Sequence, residues 1–241
     1  MEKETSMPKP QEFAGDKKEL VHFLAPYEKK FINNALPFIP PSIGTIQLTL
    51  MTILWSGGIV MAGFMARADI RWLWLFSACL FFQYITDMLD GAVGRARNTG
   101  LIKWGFYMDH FLDFIFLSSI VIGYSFLLPL TYSLWVLLAL VFSAGLMIHT
   151  FMDFAITNKF KISLSCFGVS EARMVLIIFN VSLIIFSKAF LVYVFPVFVG
   201  ALFITLCSTV YRSQKLYAHI DAMRQGTSDQ HIASTPIFFQ H

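Results

Sequence analysis

Four aspartates fall within one stretch, TDMLDGAVGRARNTGLIKWGFYMDHFLDF, residues 86–114. Asp87 and Asp90 lie three apart, and Asp109 and Asp113 four apart. On helices, both spacings put the two members of a pair on one face. Four carboxylates brought to one depth cannot all ionise unaided; protonation or a bound cation must relieve the repulsion. Their oxygens are hard donors, suited to Mg²⁺, Mn²⁺ or Ca²⁺ rather than zinc or copper. A single aspartate at a helix end is ordinarily just solvated. Four at helical spacing between apolar runs are another matter, because carboxylates near hydrocarbon are costly and usually functional.

The flanking sequence shows what must position them. Of 241 residues, 56% are hydrophobic and 14% charged, whereas charged residues make up about a quarter of an ordinary soluble domain. Apolar runs of about 20 residues recur, each long enough to cross a bilayer core of about 30 Å as a helix. Six spans are expected, near 43–66, 71–91, 104–128, 131–156, 171–189 and 191–211. The fold class is therefore all-α, a polytopic membrane protein built as a six-transmembrane-helix bundle. Pro196 falls inside the last span, where neighbouring helices re-satisfy the backbone groups it frees. Cys79, Cys166 and Cys207 form neither a CxxC pair nor a zinc spacing and read as small buried packing residues.

Six spans put both termini on one side. That side collects Lys3, Lys9, Lys17, Lys18, Lys29 and Lys30 in the N-terminal arm, and Arg95, Arg97 and Lys103 in the second loop. It also takes Lys159, Lys161 and Arg173 in the fourth loop, and Arg212, Lys215 and Arg224 in the tail. Only Arg67, Arg71 and Lys188 face the other way. The positive-inside rule makes the richer side cytoplasmic, and the aspartates with it. This is the pattern of an integral multi-pass protein of an inner membrane or an endomembrane.

Residues 1–40 form a cytoplasmic arm, 41–212 the membrane domain, and 213–241 a polar tail expected to lack regular structure. Within the arm, DKKELVHFLAPYEKKFINNALPF is amphipathic. It can lie along the membrane surface with its lysines near anionic head groups, or be a solvated arm that only sets orientation. The start of the chain has no short apolar core with a small-residue site, so no cleaved signal is expected.

Asp87-Met-Leu-Asp90-Gly91-Ala-Val-Gly94-Arg95, followed by Gly105-Phe-Tyr-Met-Asp109-His-Phe-Leu-Asp113, resembles the signature of the CDP-alcohol phosphotransferase (CDP-alcohol phosphatidyltransferase) family. That signature reads D-x2-D-G-x2-A-R, a spacer, then G-x3-D-x3-D. Seven of its eight fixed positions stand here. Gly94 replaces the family's alanine, a small-for-small change. Nine residues separate Arg95 from Gly105, one more than the family's spacer, which a loop tolerates. Either Gly94-Arg95 or Ala96-Arg97 can supply the final pair; Arg95 keeps the distance from Gly91. Pro41-Ser-Ile-Gly-Thr-Ile-Gln-Leu-Thr49, before the first span, faintly resembles a PNxIT motif of many members.

The resemblance implies six core helices, with the motif joining the second and third on the cytoplasmic side, and a homodimer. It implies an enzyme in which an acceptor hydroxyl attacks the distal phosphorus of a CDP-linked donor and CMP leaves. Asp87, Asp90, Asp109 and Asp113 become ligands of Mg²⁺ or Mn²⁺, two ions suiting such a set. Asp113 is also a candidate base. With Asp87, the positions Gly91, Arg95 and Gly105 take the substrate. The glycines allow close approach, and the arginine forks onto phosphate oxygens, if it is not merely a loop cation.

His110, in Asp109-His110-x2-Asp113, is similar to the DHGCD of the choline- and ethanolaminephosphotransferase branch, and Phe167-Gly-Val-Ser-Glu171 to its GPTEG. Carried over, His110 and Glu171 form an acid–base pair. Otherwise they are an interfacial polar residue and a helix-start carboxylate. His149 and Asp153, four apart on the fourth span, read as a structural pair or as cavity lining.

The expected partners are a CDP-linked donor, a lipid or small-alcohol acceptor and membrane lipids, with no sign of nucleic acid. Donors of the CDP-choline or CDP-ethanolamine type with diacylglycerol as acceptor are favoured. The alternative is CDP-diacylglycerol with serine, inositol, glycerol phosphate or choline. A cation carrier would instead place acids along a transmembrane path.

Overall fold

The computed structural model describes residues 24–157 and 169–233, with side chains at 24–157 and 170–223. Lys3, Lys9, Lys17, Lys18, Lys159, Lys161, Cys166 and Phe167 lie outside the described residues, as do 234–241. The helices in chain order are α1 (Ala25–Ala35), α2 (Thr45–Met65), α3 (Leu73–Ala96), α4 (Ile102–Ser125), α5 (Ser133–Thr157), α6 (Val169–Phe186) and α7 (Ala189–Ala233). Short 3-10 turns precede α2, α3 and α5, and no strand occurs among the described residues.

Five helical stretches are long and apolar enough to cross a membrane: Thr45–Met65, Ile70–Ala96, Ile102–Ser125, Leu130–Thr157 and Ala189–Met223. The remaining expected span, the fifth at 171–189, corresponds to α6, whose 18 residues reach about 27 Å at 1.5 Å per residue. The chain is an all-helical polytopic membrane protein.

Three of the helix boundaries that position the site have a local cause. Before α2, the Gln47 side-chain oxygen accepts the Gly44 N–H at 2.9 Å, satisfying a donor that has no intrahelical partner. Asp69 accepts from the Arg71 N–H at 2.9 Å and starts the turn that leads into α3. Beyond Ala96 the chain reverses within five residues, using left-handed backbone at Asn98 (φ 49°) and Gly100 (φ 69°). Asparagine and glycine enter that region most easily. This tight reversal sets the end of α3 beside the start of α4.

The centre of the bundle is α2 packed against both α3 and α4, with α6 on α3, α5 on α4 and α7 on α5. Ile59, Ala62, Leu73, Phe76 and Leu80 form its fully buried heart. Glycines permit the close crossing. A Cβ at Gly63 would lie 2.6 Å from the Cα of Gly123, so α2 and α4 touch backbone to backbone. A Cβ at Gly58 would strike Cys79 Sγ at 2.6 Å.

Three features differ from the sequence reading. The second span was expected to end near residue 91, yet α3 runs to Ala96, so Gly91, Gly94 and Arg95 are helical. Polar residues there end the apolar run without ending the helix. The tail was expected to be irregular from 213, yet α7 continues to Ala233. Its Arg-Ser-Gln-Lys-Leu segment contains good helix formers that extend an existing helix at little cost, and Tyr217 donates to Asp153 of α5. Cys207 is exposed rather than buried, whereas Cys79 packs inside as expected.

Candidate active site

The aspartates gather at the end of the bundle where α3 finishes and α4 begins. Asp87, Asp109 and Asp113 each offer a carboxylate oxygen, and those atoms lie within 4.8 Å of one another. Asp109 and Asp113 share a face of α4 one turn apart, and the reversal at 97–101 lays that face beside Asp87. All three are half-buried. Three hard oxygen donors from two rigid helices fit a divalent cation such as Mg²⁺ or Mn²⁺.

Asp90 is oriented differently. It is buried, and its Oδ2 accepts the Thr49 hydroxyl at 2.9 Å, while its backbone carbonyl accepts the Thr45 hydroxyl at 3.1 Å. Both threonines lie on α2, so a third helix fixes the α3 carboxylates. Both fall within the stretch from Pro41 to Thr49 whose likeness to the family's entry motif is faint, and its letters assign neither threonine a role.

Arg173, counted above only as a loop cation, is the unexpected member of the site. It enters from the first turns of α6, is 5% exposed, and donates through Nη1 to Asp87 Oδ2 at 3.0 Å. Its Nη2 lies 3.9 Å from Asp113 Oδ1, and the guanidinium sits 5.8 Å from the centre of the Phe116 ring. One guanidinium thus spans a carboxylate of α3 and one of α4. The available signal was an arginine two residues into an apolar span beside Glu171, a position that calls for an internal partner.

The two motif arginines separate cleanly. Arg97 reaches back to the segment before α2, donating to the carbonyls of Ile43 (2.5 Å), Pro40 (3.0 Å), Ile39 (3.1 Å) and Pro41 (3.3 Å). It is a clamp on that connection. Arg95 is exposed, and its side chain folds back along α3 so that a Cβ at Gly91 would meet Nη1 at 3.3 Å. Gly91 leaves room for that guanidinium. At Gly105 a Cβ would meet nothing within 4 Å, so this glycine borders open space instead of filling a contact.

His110 and Glu171 are engaged in the surroundings of the cluster. His110 is buried, with Nδ1 2.6 Å from the Phe106 carbonyl oxygen and its ring against those of Phe106 and Phe151. Glu171 Oε1 accepts the backbone N–H of Leu24 at 3.2 Å, tying α6 to the start of α1. Nearby, the buried Glu28 of α1 accepts the Tyr84 hydroxyl of α3 at 2.8 Å. The described part of the amphipathic segment, from Leu24, is therefore docked on the bundle through Glu28 and the Leu24 N–H, with Lys29 and Lys30 exposed. His149 and Asp153 share a face of α5, where Asp153 pairs with Tyr217.

One turn below Asp87, Gln83 is fully buried, and neither amide atom has a hydrogen-bond partner among the described residues.

Compared with known proteins, residues 46–214 match the family model described as CDP-alcohol phosphatidyltransferase, and those residues contain every member of the cluster. No curated protein and no solved structure matches the chain.

Proposed function

The chain belongs to the CDP-alcohol phosphatidyltransferase family, and on that premise we propose how its site works and which substrates it joins. At the family level it is a membrane transferase of phospholipid synthesis, using a CDP-alcohol and an acceptor alcohol. In our reading Asp87, Asp109 and Asp113 hold a divalent cation, Mg²⁺ or Mn²⁺. Asp90, aimed by Thr49, serves as the fourth carboxylate of a two-ion set. Bound there, the metal supplies charge neutralisation to the donor's pyrophosphate and to the leaving CMP.

The residues do the rest. Arg95, exposed near the end of α3, forks onto phosphate oxygens. Gly91 and Gly105 keep the helix backbones accessible to the nucleotide. Asp113 is the general base: it takes the acceptor's hydroxyl proton as the oxygen attacks the distal phosphorus, the bond to the bridging oxygen breaks, and CMP leaves with that electron pair. The single observation carrying this reading is the convergence of three carboxylates from α3 and α4 within 4.8 Å. The bias of basic residues supports placing this end of the bundle in the cytoplasm.

For the substrates we favour a CDP-linked head group of the choline or ethanolamine type with diacylglycerol as acceptor. Asp109-His110-x2-Asp113 and Glu171 support this through their likeness to that branch. In this reading His110 and Glu171 assist deprotonation of the lipid hydroxyl. The second reading reverses which partner carries the lipid: CDP-diacylglycerol with a small polar alcohol. It is favoured by the present engagement of Glu171 with α1, which gives that carboxylate a structural task.

CMP release by purified protein with Mg²⁺ or Mn²⁺ separates the two. CDP-choline and CDP-ethanolamine with diacylglycerol are compared with CDP-diacylglycerol and a panel of alcohols. Turnover with the first set alone supports the favoured reading, and with the second alone the reverse. Metal-independent release, or release that survives Asp113→Ala, sinks the mechanism.

A further inference from the structure

Arg173 is buried beside the carboxylate cluster, at 5% exposure. A buried arginine is costly unless its partners compensate it. Here the partners are two of the three clustered acids, one on each helix, with Nη1 on Asp87 at 3.0 Å and Nη2 3.9 Å from Asp113. No ordinary structural requirement selects those two. A guanidinium needed only to pin α6 could pair with one acid and leave the cluster alone.

We propose that Arg173 is a positioning residue that acts as the built-in counter-ion of the carboxylate cluster, competing with a divalent cation for Asp87 and Asp113 and so setting how tightly the site binds metal. The inference rests on the metal-binding reading of the cluster.

Two consequences follow from the charges. Arg173 offsets part of the repulsion among Asp87, Asp109 and Asp113, holding the carboxylates of α3 and α4 in register. The same positive charge, buried beside the cluster, opposes any cation that joins it, and buried charges are poorly screened. Removing the guanidinium therefore has opposite effects on two measurable quantities. The metal-free protein loses stability, since its acids lose the compensation that this guanidinium supplies, while affinity for a divalent cation rises. A residue that merely glued α6 in place would weaken metal binding when removed, because the cluster would lose its shape.

The test is Mn²⁺ binding to the full chain in detergent without nucleotide, followed by the paramagnetic signal of free Mn²⁺ and by the Mn²⁺-induced rise in melting temperature. Arg173→Gln is expected to bind Mn²⁺ about tenfold tighter or more, by the Coulomb relation. It should melt lower without metal and gain more from metal than the wild type. Arg173→Lys keeps the charge on a stem that reaches one carboxylate, so it should fall between the two, which keeps the test open if the glutamine variant does not fold. Equal or weaker binding in either variant, alongside clear binding by the wild type, overturns the counter-ion role and leaves the site reading intact. Failure of the wild type to bind Mn²⁺ at all overturns both.

Discussion

Gly94 stands where the family pattern has alanine, and the structure shows what restoring alanine would do. A Cβ at Gly94 would lie 2.8 Å from Thr45 Oγ1 and 3.8 Å from its Cγ2. Thr45 is buried in the first turn of α2, and its hydroxyl donates to the Asp90 carbonyl at 3.1 Å. Two responses are open to Gly94→Ala. Thr45 can rotate away and lose that hydrogen bond, worth about 0.5–1.5 kcal/mol. Otherwise α2 and α3 separate slightly, at the 1–3 kcal/mol or so typical of overpacking. The expected cost is therefore about 0.5–3 kcal/mol, depending on which response occurs. At roughly 2–4 °C per kcal/mol for a chain of this size, the melting temperature should fall by about 1–12 °C. Thermal unfolding of the detergent-purified protein measures it, and Thr45→Ala supplies the partner for a double-mutant cycle. With the hydroxyl gone, the added methyl fits, so the two changes should be non-additive by about 1–2 kcal/mol. An unchanged melting temperature for Gly94→Ala, or strict additivity with Thr45→Ala, would refute the steric coupling between these positions.

Four further outcomes are expected. Arg97→Ala should destabilise by about 2–4 kcal/mol, since charge-assisted hydrogen bonds to four carbonyls are lost; Arg95→Ala should leave the melting temperature unchanged and raise KM for the donor, and a swap of these two effects would show that the motif arginine is Arg97. Gly105→Ala should fold and melt like the wild type because its Cβ meets nothing, while kcat/KM falls if the donor approaches that backbone; unimpaired kinetics would remove Gly105 from the binding site. Gly63→Ala should be far more damaging than Gly94→Ala, because the Gly123 backbone has no side-chain freedom with which to yield, and comparable melting temperatures for the two variants would contradict the close α2–α4 crossing. Gln83→Met should raise the melting temperature by removing buried amide atoms without partners, and a fall would show that the amide is satisfied in the working enzyme.

The sequence by itself determined the class of fold and the family. Apolar runs at bilayer length leave helices as the form that satisfies backbone groups in lipid when no alternating strand pattern is present. The periodicity of Asp109 and Asp113 put them on one face before any coordinates. The resemblance carried by Asp87, Asp90, Gly91, Gly105, Asp109 and Asp113 agrees with the family that matches residues 46–214.

Other features required the tertiary structure, because they depend on which helices become neighbours. Arg173 lies more than eighty residues from Asp87 in the chain, and only the packing of α6 on α3 brings the guanidinium to that carboxylate. The roles of Arg95 and Arg97 are ambiguous as letters. They divide because residues two apart on a helix do not share a face: one arginine meets the carbonyls before α2 and the other is left exposed. Asp90 looks equivalent to Asp87 in the motif, but its carboxylate is also held by a third helix, accepting the Thr49 hydroxyl of α2. Local spacing fixes which residues share a helix face; the partner that the face meets is set by long-range packing, which spacing does not encode.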